Sequence, residues 1–422
     1  MSKKVLKSFI RDMLLLSPRY YVESGLYLTL VSLVVIFSAT IIAKGLAVTR
    51  DDRHRNQFSV LGWRISLPYT TTEGPKQVSL LTTILRPLLL SLAILSETVQ
   101  AFLLKIRVFF FSIGYVLFSF EQQSLQTTID AQQQEDLKDF ELVETRTIYF
   151  IRHAESVWNA AFNRPGFLGR IARTFFLCVG ELMLSCQNDS VIVDSPLSTL
   201  GITQAQKLNQ WVQTGGKIGS SNPPRTVSQA IKVLQGEVDC RLVCSNLRRA
   251  MSTLLICMQP AINHCYKKVF MVSDLQEITR NPDGLSLSNA KTVHEPSFFE
   301  RSLPVLNMTS MYNTSLDPAF NHGNKSIVSN AADRLMNFAE WLFSSCDESG
   351  KVPIVVAGHS MVFMRFFQMF VRGEHVATKS KIVNCGVIRF EFRKYANASG
   401  RVVYDVEKNS IESIYGSFVD SK

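Results

Sequence analysis

The 422-residue chain lacks several patterns that would settle its chemistry early. It has eight cysteines, but no CxxC stands beside a second CxxC or an HxxxH, so a short-spaced zinc frame is not indicated. All eight fall between Cys178 and Cys385, and those in apolar runs, Cys178 and Cys257, read as small buried hydrophobes. There is no internal repeat. The net charge is +10, yet no basic-aromatic motif accompanies it, which argues against nucleic acid as a partner. The excess still suits a membrane surface or a phosphorylated substrate. An even cysteine count and five N-x-S/T triplets, at Asn188, Asn307, Asn313, Asn324 and Asn397, leave a lumenal compartment open.

Charge is also missing from Ser24 to Ala43, "SGLYLTLVSLVVIFSATIIA". Twenty uncharged residues rise roughly 30 Å as a helix, close to the hydrocarbon core of a bilayer. No small-x-small cleavage site follows, so a transmembrane helix over about 24–44 is expected rather than a cleaved signal peptide. A second apolar region, about 78–120, is punctuated by Arg86-Pro87, Glu97, Lys105 and Arg107. It reads as a further membrane-embedded element: one tilted helix from about Leu88 to Leu104, or an interfacial pair, with Pro87 in a first helical turn. Basic residues flank the first span almost equally, so the positive-inside rule has little asymmetry to read. If both regions cross, the two chain ends share one side, and the basic segment 1–23 favours the cytosol.

The Gln- and acid-rich stretch 121–144 has few apolar residues and reads as a polar linker or a solvated helix. From residue 145 to 422 the pattern becomes that of one α/β domain. Short β-branched runs (Thr147–Ile151, Arg241–Cys244, Val269–Val272, Val352–Ala357) alternate with helical stretches such as Thr203–Gln213 and Ala331–Phe343. Such alternation predicts a three-layer sandwich, a mostly parallel sheet with helices on both faces, preceded by an N-terminal helical membrane region.

In such a sheet, reactive groups gather at the carboxyl ends of the strands. Four expected strand ends carry side chains that suit one another. The first ends in Arg152-His153, within "TIYFIRHAESVWN". The second runs into "CSNLRRAMST" with Arg248-Arg249, the third into "SDLQEITRNPDG" with Glu277, and the fourth, "PIVVAGHSM", ends in His359. Guanidinium groups grip phosphoryl oxygens in bidentate fashion, a neutral imidazole can attack phosphorus in line, and a protonated carboxylic acid can serve the departing alkoxide. The set therefore points to phosphoryl chemistry.

"IRHAESVWN", "DSPLSTLGITQAQKL", "CSNLRRAMST" and "VVAGHSM", in that order, resemble the histidine phosphatase superfamily in its phosphoglycerate-mutase-like branch. "IVNCGVIRFEF", Ile382 to Phe392, is similar to that family's closing strand, and the resemblance covers about Arg146 to Phe392. It implies a phosphomonoesterase with His153 as nucleophile, Arg152 and Arg249 as phosphate ligands, His359 completing the pocket and Glu277 as proton donor. Asn159 matches a pocket asparagine, and Ser156 is a second candidate for that role. Asp283 is the reserve acid, Arg248 is read as a surface neighbour of Arg249, and Asp194 as a residue that caps or orients the "SPLSTLG" turn. The resemblance calls for no cofactor or metal.

Two departures matter. The insertion between Asn159 and Asp194, with "FLGRIARTFFLCVGELML", replaces a short loop and reads as a lid, a bilayer contact or a buried helix. After Glu277 the sequence "ITRNPDGLSLS" lacks the mutase pattern E-R-x-Y-G. Both favour hydrolysis of a phosphorylated small molecule or protein at a membrane over mutase activity. A catalytically inactive phosphate-binding scaffold and, behind it, a phosphoglycerate mutase stay open as alternatives.

Overall fold

The computed structural model describes residues 58–60, 63–65, 80–121, 125–185, 187–217, 223–265, 268–303, 306–344 and 352–420. The basic segment 1–23 and the expected transmembrane helix at 24–44 lie outside the described residues.

The chain divides into two compact units, one of residues 1–107 with 183–188, the other of 108–182 with 189–422. The first contains a short antiparallel hairpin, β1 (Phe58–Val60) and β2 (Trp63–Ile65). It also contains the start of α1 (Leu80–Phe118), a single 39-residue helix where a shorter helix or a broken pair was expected. Pro87 is inside α1, not in its first turn; a proline there forfeits one helical hydrogen bond. Its Thr98–Phe118 portion is long and apolar enough to cross a membrane, by length and composition alone.

The second unit opens with the last turns of α1, where Phe109, Phe110, Leu117 and Phe118 are exposed but Tyr115 is buried against Val193, Leu285 and Leu287. Residues 121–144, expected as a polar linker, contribute to the packed unit. Glu121 is fully buried, and α2 (Leu125–Gln134) inserts Leu125 and Ile129, one turn apart on one face, into the core. The strand β3 (Glu141–Arg152) then begins six residues earlier than its apolar run, because its polar first half pairs with a neighbouring strand.

The remaining elements alternate as anticipated. After β3 come α3 (Val157–Phe162), α4 (Phe167–Met183) and α5 (Thr199–Gln213). Next are β4 (Arg241–Cys244), α6 (Arg248–Cys257), β5 (Val269–Val272), β6 (Leu316–Phe320) and α7 (Ala331–Ser344). The chain closes with β7 (Ile354–Gly358), α8 (Ser360–Phe370), β8 (Ser380–Ile382), β9 (Val387–Ala396), β10 (Val402–Val406), β11 (Glu412–Tyr415) and β12 (Phe418–Asp420). One sheet runs β10-β9-β3-β7-β4-β5-β6, with β11 also paired to β9. The five strands from β3 to β6 are parallel, while β9, β10 and β11 form an antiparallel margin. The sheet is therefore mixed. The expected closing strand is split: β8 pairs with β12 outside the main sheet, and only β9 joins it.

Alternation along the strands builds both helical layers. Tyr149, Ile151, Leu242, Cys244, Val355 and Ala357 face one core with α5 and α6; Ile148, Phe150, Val243, Ile354 and Val356 face another with α2, α7 and α8. In the second, Phe150 stacks on Phe363 at a centroid distance of 4.0 Å and meets Phe366 and Phe390 edge-on. Arg152 pairs with Gly358, and Ala357 with Cys244, so the carboxyl ends of β3, β7 and β4 stand level. That alignment positions the site.

Candidate active site

His153 leaves the end of β3 held on every side. Its backbone N–H donates to the Gly358 carbonyl (2.9 Å), its own carbonyl accepts from Asn384 Nδ2 (3.1 Å), and the next N–H donates to Thr253 Oγ1 (3.0 Å). The ring's Nδ1 lies 2.6 Å from the Ala154 carbonyl. A carbonyl only accepts, so Nδ1 carries the proton and Nε2 keeps its lone pair. Burial, with the Arg249 and Arg152 guanidinium groups close by, holds this imidazole well below its ordinary value and hence neutral.

The second histidine, His359, is the residue before the first turn of α8 and is fully buried, its ring centroid 5.0 Å from that of His153. Burial, Arg249 and His153 push it down as well. Ligating atoms of His153, His359 and Glu277 all lie within 4.8 Å of one another. These donor types would suit a transition metal, but two fixed guanidinium charges beside them oppose a cation and favour an anion.

Glu277 follows β5. Its Oε1 accepts from its neighbour Ile278 N–H (3.1 Å) and from Met361 and Val362 N–H at the start of α8 (3.2 and 3.3 Å). Burial outweighs the lowering by Arg249 and raises its carboxyl above the usual carboxylate range, assisted by Asp283. A carboxyl so placed can hold a proton where water-exposed ones cannot.

Arg152, at the last position of β3, donates through Nη1 to the Ile382 carbonyl (2.6 Å). Arg249 enters from the first turn of α6, with Nη1 donating to the Asp283 carbonyl (2.5 Å) and 3.5 Å from the Asp283 carboxylate. The reserve acid thus lies beside Glu277 and is also raised, mainly by burial. Nε of Arg152, Nε of Arg249, both ring nitrogens of His359 and Asp283 Oδ1 are buried with no partner among the described residues. Each such group costs about 1–3 kcal/mol, and the unpaired guanidinium and imidazole nitrogens gathered here seek an anion, to which the Asp283 oxygen, an acceptor, adds no pull.

Asn159 sits in α3 and, with Trp158, Glu277, Asp283 and Met361, lines a pocket of about 420 Å³. His153, His359, Arg152 and Arg249 are not part of that pocket's wall; the two rings are 2% and 0% exposed. The acid and Asn159 therefore face the pocket, while the two histidines are buried. Helix α4 adds no residue to this wall, but Asn163, near the start of the same insertion, does. The helix is amphipathic rather than buried, with Gly169, Arg173 and Leu177 inward and Phe167, Leu168, Ile171, Phe175 and Leu182 exposed.

Three expectations change. Arg248 is fully buried, paired with Asp189 at 2.5 Å and bonded to the carbonyls of Ser190 and Asp194, because α6 begins beneath that loop. Asp194 does not cap α5. Its carboxylate accepts from the Arg248 and Leu287 N–H groups (2.7 and 3.0 Å), and the α5 cap is Ser198, which receives Gly201 N–H at 3.0 Å. Ser156 caps α3 through Asn159 N–H (3.1 Å), so it supports Asn159 instead of facing the pocket. Sequence reasoning missed Lys325, a buried lysine whose Nζ donates to the Glu277 carbonyl at 2.5 Å. Its surroundings, "HGNKSIVSN", read as an exposed loop and carry no signal of it.

No protein-family model and no curated protein sequence matches the chain. Solved structures similar to it include a mycobacterial glucosyl-3-phosphoglycerate phosphatase, 14% identical over 63% of this chain and 98% of that one, with a TM-score of 0.30. A phosphoglycerate mutase from Bacillus anthracis str. Sterne is 14% identical over 63% of this chain and 92% of its own, at 0.31. A phosphoserine phosphatase mutant from Entamoeba histolytica is 16% identical over 58% and 89%, at 0.28. Likenesses at this level bear no weight for the reaction, which the chain's own residues have to supply.

Proposed function

We propose that the protein hydrolyses phosphomonoesters through a phosphohistidine on His153, at a membrane to which its apolar N-terminal region anchors it. The observation that carries this reading is the neutral His153 ring, its proton on Nδ1, set among His359, Arg152, Arg249 and a raised carboxyl, Glu277.

Nε2 of His153 attacks phosphorus in line while the ester oxygen departs on the far side. The bond to the alcohol breaks as the N–P bond forms, and Glu277 gives its proton to the departing oxygen. Arg152 and Arg249 neutralise the equatorial oxygens, and His359 donates one N–H to them. Glu277, now ionised, takes a proton from water as that water opens the N–P bond, releasing phosphate and restoring both side chains. The pocket beside Glu277 and Asn159 is where the alcohol portion fits.

The test is phosphate release from aryl, sugar, lipid, nucleotide and phosphopeptide esters, with acid-labile phosphoenzyme trapping. His153→Ala is expected to lower turnover by about a thousandfold or more and abolish trapping. Full activity in His153→Ala, or tight phosphate binding with neither turnover nor trapping in the wild type, overturns the reading.

A further inference from the structure

The turn that carries Glu277 is gripped from below by two buried cations. Lys325 Nζ donates to the carbonyls of Glu277 (2.5 Å) and Thr279 (2.8 Å). Arg334, on α7, donates through Nη1 to the carbonyls of Asp274 (3.0 Å) and Gln276 (2.8 Å). Four carbonyls within six residues are thus fixed by two side chains.

Both cations converge on one carboxylate. Glu121, fully buried, accepts from Lys325 at 3.0 and 2.8 Å and pairs with Arg334 through Oε1. The same carboxylate receives the Tyr115 hydroxyl at 2.8 Å, and the Lys325 ammonium stands 4.9 Å from the Tyr115 ring centroid. Tyr115 belongs to the last turn of α1 and Glu121 lies three residues past its end. Such a buried ionic cluster is a poor source of stability, since desolvation offsets much of the Coulombic gain. What it supplies is a fixed geometry for the backbone it holds.

We propose that Lys325, locked by Glu121, is a positioning residue for Glu277, so that the C-terminal end of α1 sets the placement of the acid in the reaction. The inference rests on the phosphatase reading and adds a coupling from the apolar helix to one step of it, protonation of the leaving group. A loosened turn therefore penalises substrates in proportion to their need for that proton.

The experiment uses the full-length protein with Lys325→Met and compares kcat on an alkyl phosphate with kcat on p-nitrophenyl phosphate, whose leaving group needs little protonation. Lys325→Met keeps Glu121 paired with Arg334, so no buried charge is stranded. Expected is a loss of about tenfold or more on the alkyl ester, part of the hundred- to ten-thousandfold a general acid contributes, against less than about threefold on the aryl ester. Equal losses on both, or no loss on either, overturn the proposal. Tyr115→Phe, which removes only the hydroxyl bonded to Glu121 and strands no charge, must show the same split in weaker form and serves where Lys325→Met does not fold. If the wild type hydrolyses neither of these nor any ester of the wider panel, the phosphatase reading has failed, and amide exchange then decides the coupling. The variant must speed exchange at Ile278 and Thr279, and wild-type protection there overturns it.

Discussion

Glu277 and His153 are displaced in opposite senses by the same burial, one toward holding its proton and the other toward losing it. The proposed mechanism requires both conditions, so on that reading kcat falls at low pH as the imidazole protonates, below its ordinary 6.5, and at high pH as Glu277 ionises, above its ordinary 4.5. Glu277→Gln is expected to remove the high-pH limb and lower alkyl-ester turnover by roughly a hundredfold, measured as a pH–rate profile. A surviving limb would assign the acid to Asp283. The neutral histidines act on stability too: the unfolded chain takes up protons that the fold refuses, so stability declines as pH drops below about 6.5. At this scale the sequence is uneven as a guide. His153, Glu277 and His359 were legible because each follows a β-branched run. Arg248 and Arg249 are adjacent and identical in type, and only the helix start beneath them decides which is tied to Asp189 and which meets the acids.

Among the elements, α5 approaches the backbone after His153 closely enough to require a glycine. Ser198 N–H donates to the Glu155 carbonyl at 2.9 Å, and a Cβ on Gly201 would come within 2.0 Å of that same oxygen. The Glu155 carboxylate binds Ser198 Oγ (2.7 Å) and Arg164 (2.6 Å) and so fastens the loop. Gly201→Ala is therefore expected to push α5 off the loop, at about 1–3 kcal/mol of stability, with a matching loss of turnover. Thermal unfolding beside the aryl-ester assay checks it, and an unchanged Tm counts against the contact. Four of the five parallel strands, β3, β4, β5 and β7, were legible because each contains a compact apolar run. The linker was not: Leu125 and Ile129 are two apolar residues among glutamines, and their burial depends on α7 and α8, encoded some two hundred residues later. The strand β6, "LDPAF", was also missed, since proline and aspartate disguise a strand tolerable only at a sheet edge.

For the molecule as a whole, the boundary of the functional unit lies earlier than composition suggests. A chain beginning at Thr145 loses Glu121, Leu125 and Ile129, leaving Lys325 and Arg334 buried without their carboxylate, a change costing about 3–5 kcal/mol. It is expected to unfold more than about 10 °C below a chain beginning at Val108, both compared in detergent by thermal denaturation. Equal transitions would show that the helix end and α2 are dispensable. The sheet order carries a further consequence, for the time at which the protein becomes competent. Both neighbours of β3, β7 and β9, are encoded more than two hundred residues after it. The strand that leads into His153 thus leaves the ribosome with neither edge covered and waits for nearly the whole remainder of the chain before it can pair. Assembly of the candidate site therefore awaits completion of synthesis, and any product that stops short of β9 carries His153 without a fold to aim it.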